Sequence, residues 1–171
     1  MAKKSALAKA NPRLTTQTDL SDNAVPEIAE ALNRLVADSY VLYTKTKNFH
    51  WHVSGPHFRD YHLLFDEQAM EIFATVDDLA ERVRKLGAKT VHSIGEIARL
   101  STIKDNDKDY VAPADMLVEL MNDNKIVIKR MRAAHGIADK HEDVATASIL
   151  ENFIDQAEKR NWFLFEASRK A

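Results

Sequence analysis

The sequence predicts an all-α protein, a bundle of four long helices in which one long connection joins the second helix to the third. Apolar residues recur at helical spacing in four long segments, and no segment shows the alternation of a strand. Only 4 Gly and 4 Pro interrupt the 171 residues, a length that suits one hydrophobic core. We therefore expect a flexible basic tail, residues 1–24, followed by a single bundle domain, residues 25–171.

The first two predicted helices flank a Gly-Pro turn. The first helix runs from about residue 25 to 53, with Pro26 in its first turn. Gly55-Pro56 ends its pattern, Pro56 starts the second helix, and Gly87 closes that helix as a C-terminal cap. The apolar pattern of the second helix comprises Leu63, Met70, Phe73, Val76, Leu79, Val83 and Leu86.

The long connection, residues 88–112, contains a short extra helix, because Ser93 and Glu96 form a capping-box pattern. Pro113 opens the third helix, Gly136 follows its apolar stripe, and the fourth helix follows the charged turn 139–143. One long crossover between the second and third helices is typical of a ferritin-like four-helix bundle. A helical bundle without any chemistry fits these observations equally well.

Composition limits the classes of protein and of metal site. The chain has no Cys, so disulfides and thiolate ligands are excluded and any metal must be held by His, Asp or Glu. No segment has the apolar length of a signal sequence or a membrane span, so we expect a cytoplasmic protein without a membrane partner. The net charge of −2 conceals a tail of +4, because residues 1–18 contain no acid. This tail is either a solvated leader or an arm that binds a polyanion.

The second helix carries four candidate metal ligands on one face: His62, Asp66, Asp77 and Glu81. Their spacing of 4, 11 and 4 residues places them within an arc of about 100°. The two pairs lie about 22 Å apart, however, so they cannot share one metal within one chain. A second copy, packed antiparallel about a two-fold axis near residue 72, would bring 62/66 of one chain opposite 77/81 of the other.

His50, near the end of the first helix, can join His62 from the neighbouring antiparallel helix. The predicted site therefore takes His50, His62 and Asp66 from one subunit and Asp77 and Glu81 from its mate. Imidazole nitrogen and carboxylate oxygen suit iron, manganese or zinc. Each residue alone is more often structural or solvated, and the combination carries the prediction. The other histidines are expected at the surface or in supporting roles: His52, His57, His92, His135 and His141.

The runs KNFHWHVSGPHFRDYHLLFDE (47–67) and DDLAERVRKLG (77–87) closely resemble the Dps family, the DNA-binding proteins from starved cells. The resemblance covers about residues 25–168. It implies that the five residues of the predicted site are the metal ligands and catalytic residues of a di-iron ferroxidase centre between two-fold-related subunits. The Glu-x-x-His pairs of ordinary ferritins are absent, which argues against a typical 24-subunit ferritin.

The resemblance also implies an activity and an assembly. It implies a dodecameric shell that oxidises Fe(II), preferably with hydrogen peroxide, and stores ferric oxide inside, which protects DNA from oxidative damage. Trp51 either intercepts stray radicals or is a packing aromatic. We expect the Glu142-Asp143 pair to line an acidic pore. DNA binding without sequence specificity, and hence association with the nucleoid, is expected through the basic residues of the tail: Lys3, Lys4, Lys9 and Arg13.

Two other hypotheses come from different classes of protein. In the first, the chain is a non-specific DNA-binding nucleoid protein whose metal site is vestigial or filled by zinc, and deleting residues 1–18 abolishes DNA retardation. In the second, it is a purely structural helical oligomer that behaves alike with and without metal.

Overall fold

A computed structural model describes residues 12–169, and every regular element in this range is helical. A short 3₁₀ turn, Pro12–Leu14, precedes five helices: α1 (Ala24–His52), α2 (Phe58–Lys85), α3 (Ile94–Leu100), α4 (Pro113–Lys140) and α5 (Val144–Ala167). Helix α1 packs along α2, α4 packs along α5, and α1 also contacts α4 and α3. The predicted four-helix bundle with a short helix in its long crossover is confirmed. Within residues 12–169 no helix is long and apolar enough to span a bilayer.

Most of the predicted helix ends are confirmed by local geometry. Gly87 has a φ of 82°, and the Ser93 hydroxyl accepts a hydrogen bond from the Glu96 backbone N–H. Pro56 does not start α2, because a tight turn closed by the Phe58 N–H on the Gly55 carbonyl (3.0 Å) takes up residues 55–57. Helix α4 continues past Gly136 to Lys140.

The apolar pattern predicted for the second helix divides into two sets. One set is buried: Val76, Leu79, Val83 and Leu86. The other set is exposed by 41, 56 and 43%, respectively: Leu63, Met70 and Phe73. At 100° per residue these three lie within the arc of the candidate ligands. Phe73 lies at the edge of this face nearest α1, with its ring centroid 4.9 Å from that of Tyr43. The apolar pattern of α2 therefore covers two different faces of the helix, and these three residues are not buried within one chain.

Buried Asp38 fixes the crossover to the bundle. Its Oδ1 atom accepts hydrogen bonds from the Ser101 hydroxyl (3.0 Å) and the Thr102 backbone N–H (2.6 Å). The Arg130 guanidinium of α4 lies 3.5 Å from its Oδ2 atom. One carboxylate thus joins α1, the crossover and α4.

Lys45 joins α1 to α4 in a second buried cluster. Its ammonium lies 2.7 Å from Asp123 Oδ2 and 2.9 Å from Glu119 Oε1. The Asn106 side chain of the crossover donates to Glu119 (2.8 Å). Burial raises the pKa of Asp123, and the hydrogen bond from Lys45 opposes this effect.

Residues 12–20, here called the strap, lie over the C-terminal end of α2. Arg84 Nη2 donates to the Leu14 carbonyl (3.0 Å), and the Thr16 hydroxyl donates to the Arg84 carbonyl (3.2 Å). Leu20 packs against the core. The domain limits 1–24 and 25–171 stay a prediction, and the tail residues 1–11, including Lys3, Lys4 and Lys9, lie outside the described residues.

Candidate metal centre

His50 and His62 orient each other across the turn between α1 and α2. His50 Nδ1 lies 2.8 Å from the His62 carbonyl oxygen, and His62 Nδ1 lies 2.9 Å from the His50 carbonyl oxygen. A carbonyl only accepts, so each Nδ1 donates a hydrogen, and Nε2 is the ring nitrogen left to bind a metal ion. The rings stack with their centroids 3.8 Å apart. The pair is therefore held in the tautomer that a metal ion requires.

Asp66 lies one turn along α2 from His62. Its Oδ1 atom is 3.9 Å from His50 Nε2. Two donors that each lie about 2.1 Å from one metal ion are at most about 4.2 Å apart, so these two atoms can share an ion. Lys47 Nζ lies 2.7 Å from the same Oδ1 atom. The pKa of Asp66 is lowered, first by this hydrogen bond and then by the charges of Lys47, His50 and His62, so the carboxylate stays ionised at neutral pH.

Asp77 and Glu81 do not join this cluster within one chain. Both are exposed near the other end of α2, and Glu81 Oε2 lies 3.3 Å from Lys85 Nζ. Within residues 12–169 no three His, Asp or Glu side chains of one chain are arranged to hold a metal ion. The structure thus brings together His50, His62 and Asp66 and leaves the second carboxylate pair apart. The complete ligand set stays a prediction.

Two neighbours of the cluster were missed by the sequence reasoning. Lys47 precedes His50 by three residues, which places both on one face of α1, so helical spacing was the available signal. Phe58 packs its ring against His62 with centroids 5.0 Å apart.

Trp51 is 62% exposed, with Lys47 Nζ 5.8 Å from its ring centroid. Its role in intercepting radicals stays a prediction.

The interior of the bundle has a different character from this cluster. Buried Arg160 donates to Asn124 Oδ1 (3.4 Å), and Gln68 donates to the Arg160 carbonyl (3.1 Å). The guanidinium repels a metal ion, and the Glu71 carboxylate, whose Oε2 atom lies 3.6 Å from Arg160 Nη1, is already its counter-charge. This agrees with the absence of the Glu-x-x-His pairs that build an intra-bundle site.

The predicted pore lining needs a correction at Asp143. This buried carboxylate caps α5 by accepting from the Thr146 N–H (3.0 Å) and lies 2.6 Å from Arg82 Nη2. Asp143 is therefore committed to the fold and is not free to line a channel. Glu142 alone of the pair is exposed.

Comparison with known proteins places the chain in a family. A family model described as a ferritin-like domain matches residues 29–170. The DNA protection during starvation protein of Brevibacillus brevis is 35% identical over 137 residues, which span 80% of this chain and 91% of that relative. The chain belongs to the Dps family. The X-ray structure of Dps from Thermosynechococcus elongatus aligns with a TM-score of 0.84 at 30% identity and covers 87% of this Dps chain and 94% of its own.

A second Dps structure extends the comparison to metal chemistry. Dps from Vibrio cholerae O1 has a TM-score of 0.86 at 26% identity, with 93% of this chain and 99% of that chain covered. That protein is described as a member of a broad superfamily of ferritin-like diiron-carboxylate proteins. The predicted resemblance to Dps and the ferritin-like fold are both confirmed.

Proposed function

We propose that two copies of this Dps chain pair through α2 and form two ferroxidase centres. Each centre takes His50, His62 and Asp66 from one subunit, and Asp77 and Glu81 of the partner subunit. The observation that carries the proposal is the exposed face of α2. Met70 and Phe73 lie between the two ligand pairs, where a second helix would cover them.

The numbering of this face is symmetric about the midpoint between residues 71 and 72. In an antiparallel pair of α2 helices centred there, position 62 opposes 81, and 66 opposes 77. Position 70 opposes 73, so Met70 meets an aromatic ring at the axis. One packing arrangement therefore buries the exposed apolar residues and completes both ligand sets.

Iron is the substrate of the proposed reaction. Two Fe(II) ions transfer two electrons to one hydrogen peroxide molecule, which takes up two protons and gives two Fe(III) and two water molecules. Because the peroxide is reduced by two electrons at one centre, no hydroxyl radical is released. The residues bind and orient the ions, and the apolar helix face limits the access of water. We propose that twelve subunits enclose the ferric oxide that follows and thereby protect DNA.

The test begins with metal-free protein. Fe(II) is added anaerobically, hydrogen peroxide or air follows, and ferric absorbance and the iron retained on a sizing column are measured. We expect rapid oxidation and iron that co-elutes with a species of about 230 kDa, twelve chains of 19.4 kDa. Oxidation no faster than in buffer would move the function to DNA binding or structure.

A matched pair of variants locates the reaction. Asp77→Asn with Glu81→Gln should slow the fast oxidation about tenfold or more and leave the assembly intact. Asp78→Asn with Glu67→Gln removes the same charge from exposed positions outside the predicted ligand arc and should oxidise iron normally. Full oxidation by the first variant would exclude these carboxylates from the site.

The basic tail, together with relatives named for DNA protection during starvation, supports DNA binding as a second proposed function. We propose that Lys3, Lys4 and Lys9, with Arg13, bind DNA through phosphate contacts, in the cytoplasm at the nucleoid. Many tails on one shell would multiply a weak contact. Changing the three lysines to Gln should abolish DNA retardation. The same change at three exposed lysines outside the tail, two in the crossover and one in α4, should preserve the retardation: Lys104, Lys108 and Lys125. Unchanged DNA retardation in the tail variant would exclude these lysines as the DNA-binding residues.

A further inference from the structure

Lys47 places a positive charge on the candidate metal centre. Its Nζ atom lies 2.7 Å from Asp66 Oδ1, the oxygen that also faces His50 Nε2 at 3.9 Å. The Lys47 side chain is only 16% exposed. In this chain the ammonium therefore supplies the counter-charge of Asp66 at the position where a metal ion would share that oxygen with His50.

The ammonium and a metal ion cannot both use this oxygen at close range. A divalent ion would lie about 2.1 Å from Oδ1, so the two cations would be less than about 5 Å apart in a partly buried site. Their repulsion means that a metal ion binds only after the ammonium moves away. Loading is thus an exchange of one cation for another.

The displaced ammonium has a nearby acceptor. Trp51 lies one turn after Lys47 on α1, and its ring centroid is already 5.8 Å from Nζ. An indole face attracts a cation. A change of Lys47 rotamer toward Trp51 would move the ammonium off Asp66 without exposing it fully to water.

We propose that Lys47 is a built-in competitor for the metal ion, which neutralises Asp66 in the metal-free chain and is displaced toward Trp51 when the ion binds. This inference rests on the proposed ferroxidase centre and makes Lys47 a positioning residue rather than a ligand. The apparent metal affinity is lowered in proportion to the fraction of chains in which Asp66 is free of the ammonium.

The experiment measures metal binding without redox chemistry. Metal-free protein, as the full chain in its native assembly, is titrated with Co(II) against a competing chelator, and the visible absorption of bound Co(II) is recorded. Lys47→Met should bind Co(II) about three- to tenfold more tightly than the wild type, because the competing pair is partly exposed. Lys47→Arg keeps the charge and should bind no more tightly than the wild type.

A matched control separates local from general charge effects. Lys140 also pairs with a carboxylate, Glu27, at 2.8 Å. Glu27 lies 23 residues before His50 on α1, about 34 Å away. Lys140→Met should leave Co(II) affinity unchanged. Lys47→Gln provides a second neutral variant if Lys47→Met does not assemble.

Trp51→Leu tests the route of displacement. It should weaken Co(II) binding in the wild-type background and have no effect in the Lys47→Met background, since no ammonium then needs an acceptor. Equal effects in both backgrounds would overturn the role of Trp51.

The outcomes distinguish this inference from the function on which it rests. Equal Co(II) affinity of wild type and Lys47→Met, together with weakened binding in the Asp77→Asn, Glu81→Gln variant, overturns the role of Lys47 and leaves the proposed centre standing. If the carboxylate variant binds Co(II) as well as the wild type, the proposed centre fails, and the inference fails with it.

Discussion

The backbone nitrogen of Thr16 lies 3.0 Å from the position that a Cβ atom on Gly87 would occupy. Gly87 also has a φ of 82°, which L side chains rarely adopt. Gly87→Ala should therefore lower the free energy of unfolding by about 1–3 kcal/mol and displace the strap. Gly136 lies inside α4, with no atom within 4 Å of a new Cβ, so Gly136→Ala should raise the free energy of unfolding by about 0.5–1 kcal/mol. Denaturant titration measures the free energy of unfolding of both variants. If it shifts in the same direction for both, the special conformation of Gly87 does not determine the effect.

Lys45 compensates two carboxylates in the bundle. Lys45→Met should destabilise the fold by about 3–5 kcal/mol at neutral pH, because Asp123 and Glu119 lose their common cation. The folded-state pKa of Asp123 already lies above its ordinary value and rises further without Lys45, so the folded variant takes up a proton before the unfolded chain does. The stability that Lys45→Met loses is therefore largest at a pH above the folded-state pKa of Asp123, and it decreases as the pH falls through that pKa.

Thermal unfolding from about pH 7 to pH 4.5 tests this sign. The difference in Tm between wild type and Lys45→Met should narrow as the pH falls. Lys104→Met, at an exposed position of the crossover, should show a small difference that does not change with pH. A Tm difference that widens as the pH falls would show that protonation of Asp123 does not determine the stability of the variant.

Asp38 should determine how firmly the crossover is held. Asp38→Ala leaves the Thr102 N–H and the Arg130 guanidinium without their carboxylate, at a cost of about 3 kcal/mol. We expect faster proteolysis within residues 101–111, together with a lower Tm. Asp105→Asn, at an exposed position of the same segment, should be cleaved at the wild-type rate.

Met70 should matter to the assembly more than to the fold of one chain. Met70→Asp places a charge at the centre of the proposed two-fold contact, where burial would cost about 3 kcal/mol or more. We expect smaller species on a sizing column and slower iron oxidation, with helical content unchanged. Ile94→Asp changes a more exposed apolar residue, at 76%, and should assemble normally. Normal assembly of Met70→Asp would exclude α2 as the two-fold contact.

Features that depend on a few neighbouring residues could be predicted from the sequence. The cap at Gly87 and the start of α3 at Ser93 follow from backbone conformations and short-range hydrogen bonds. The prediction that Pro56 starts α2 was wrong because Gly55-Pro56 favours a tight turn as well as a helix start. The tight turn replaced the first helical turn. Periodicity located Leu63, Met70 and Phe73 on a common helix face, but it does not distinguish burial within one chain from burial between chains.

The candidate site shows the same division. Helical spacing placed His50, His62 and Asp66 within reach of one another, and the structure brings them together. The reciprocal carbonyl contacts of the two histidines depend on how α1 and α2 pack, which spacing alone does not specify. The salt bridge of Asp143 with Arg82 joins residues 61 positions apart, so only the folded chain shows that this carboxylate already has a partner.

The ligand pairs lie at opposite ends of α2, so under the proposed pairing every subunit gives three ligands to one centre and two to another. A variant lacking His62 and Asp66 and a variant lacking Asp77 and Glu81 would each be inactive. A mixed dimer of the two, however, holds one intact centre and one centre that keeps only His50. Random co-assembly of the two variants would restore about a quarter of the wild-type centres. Two defective genes expressed in one cell would thus complement each other, and a chain that has not yet met its partner would carry out no iron chemistry.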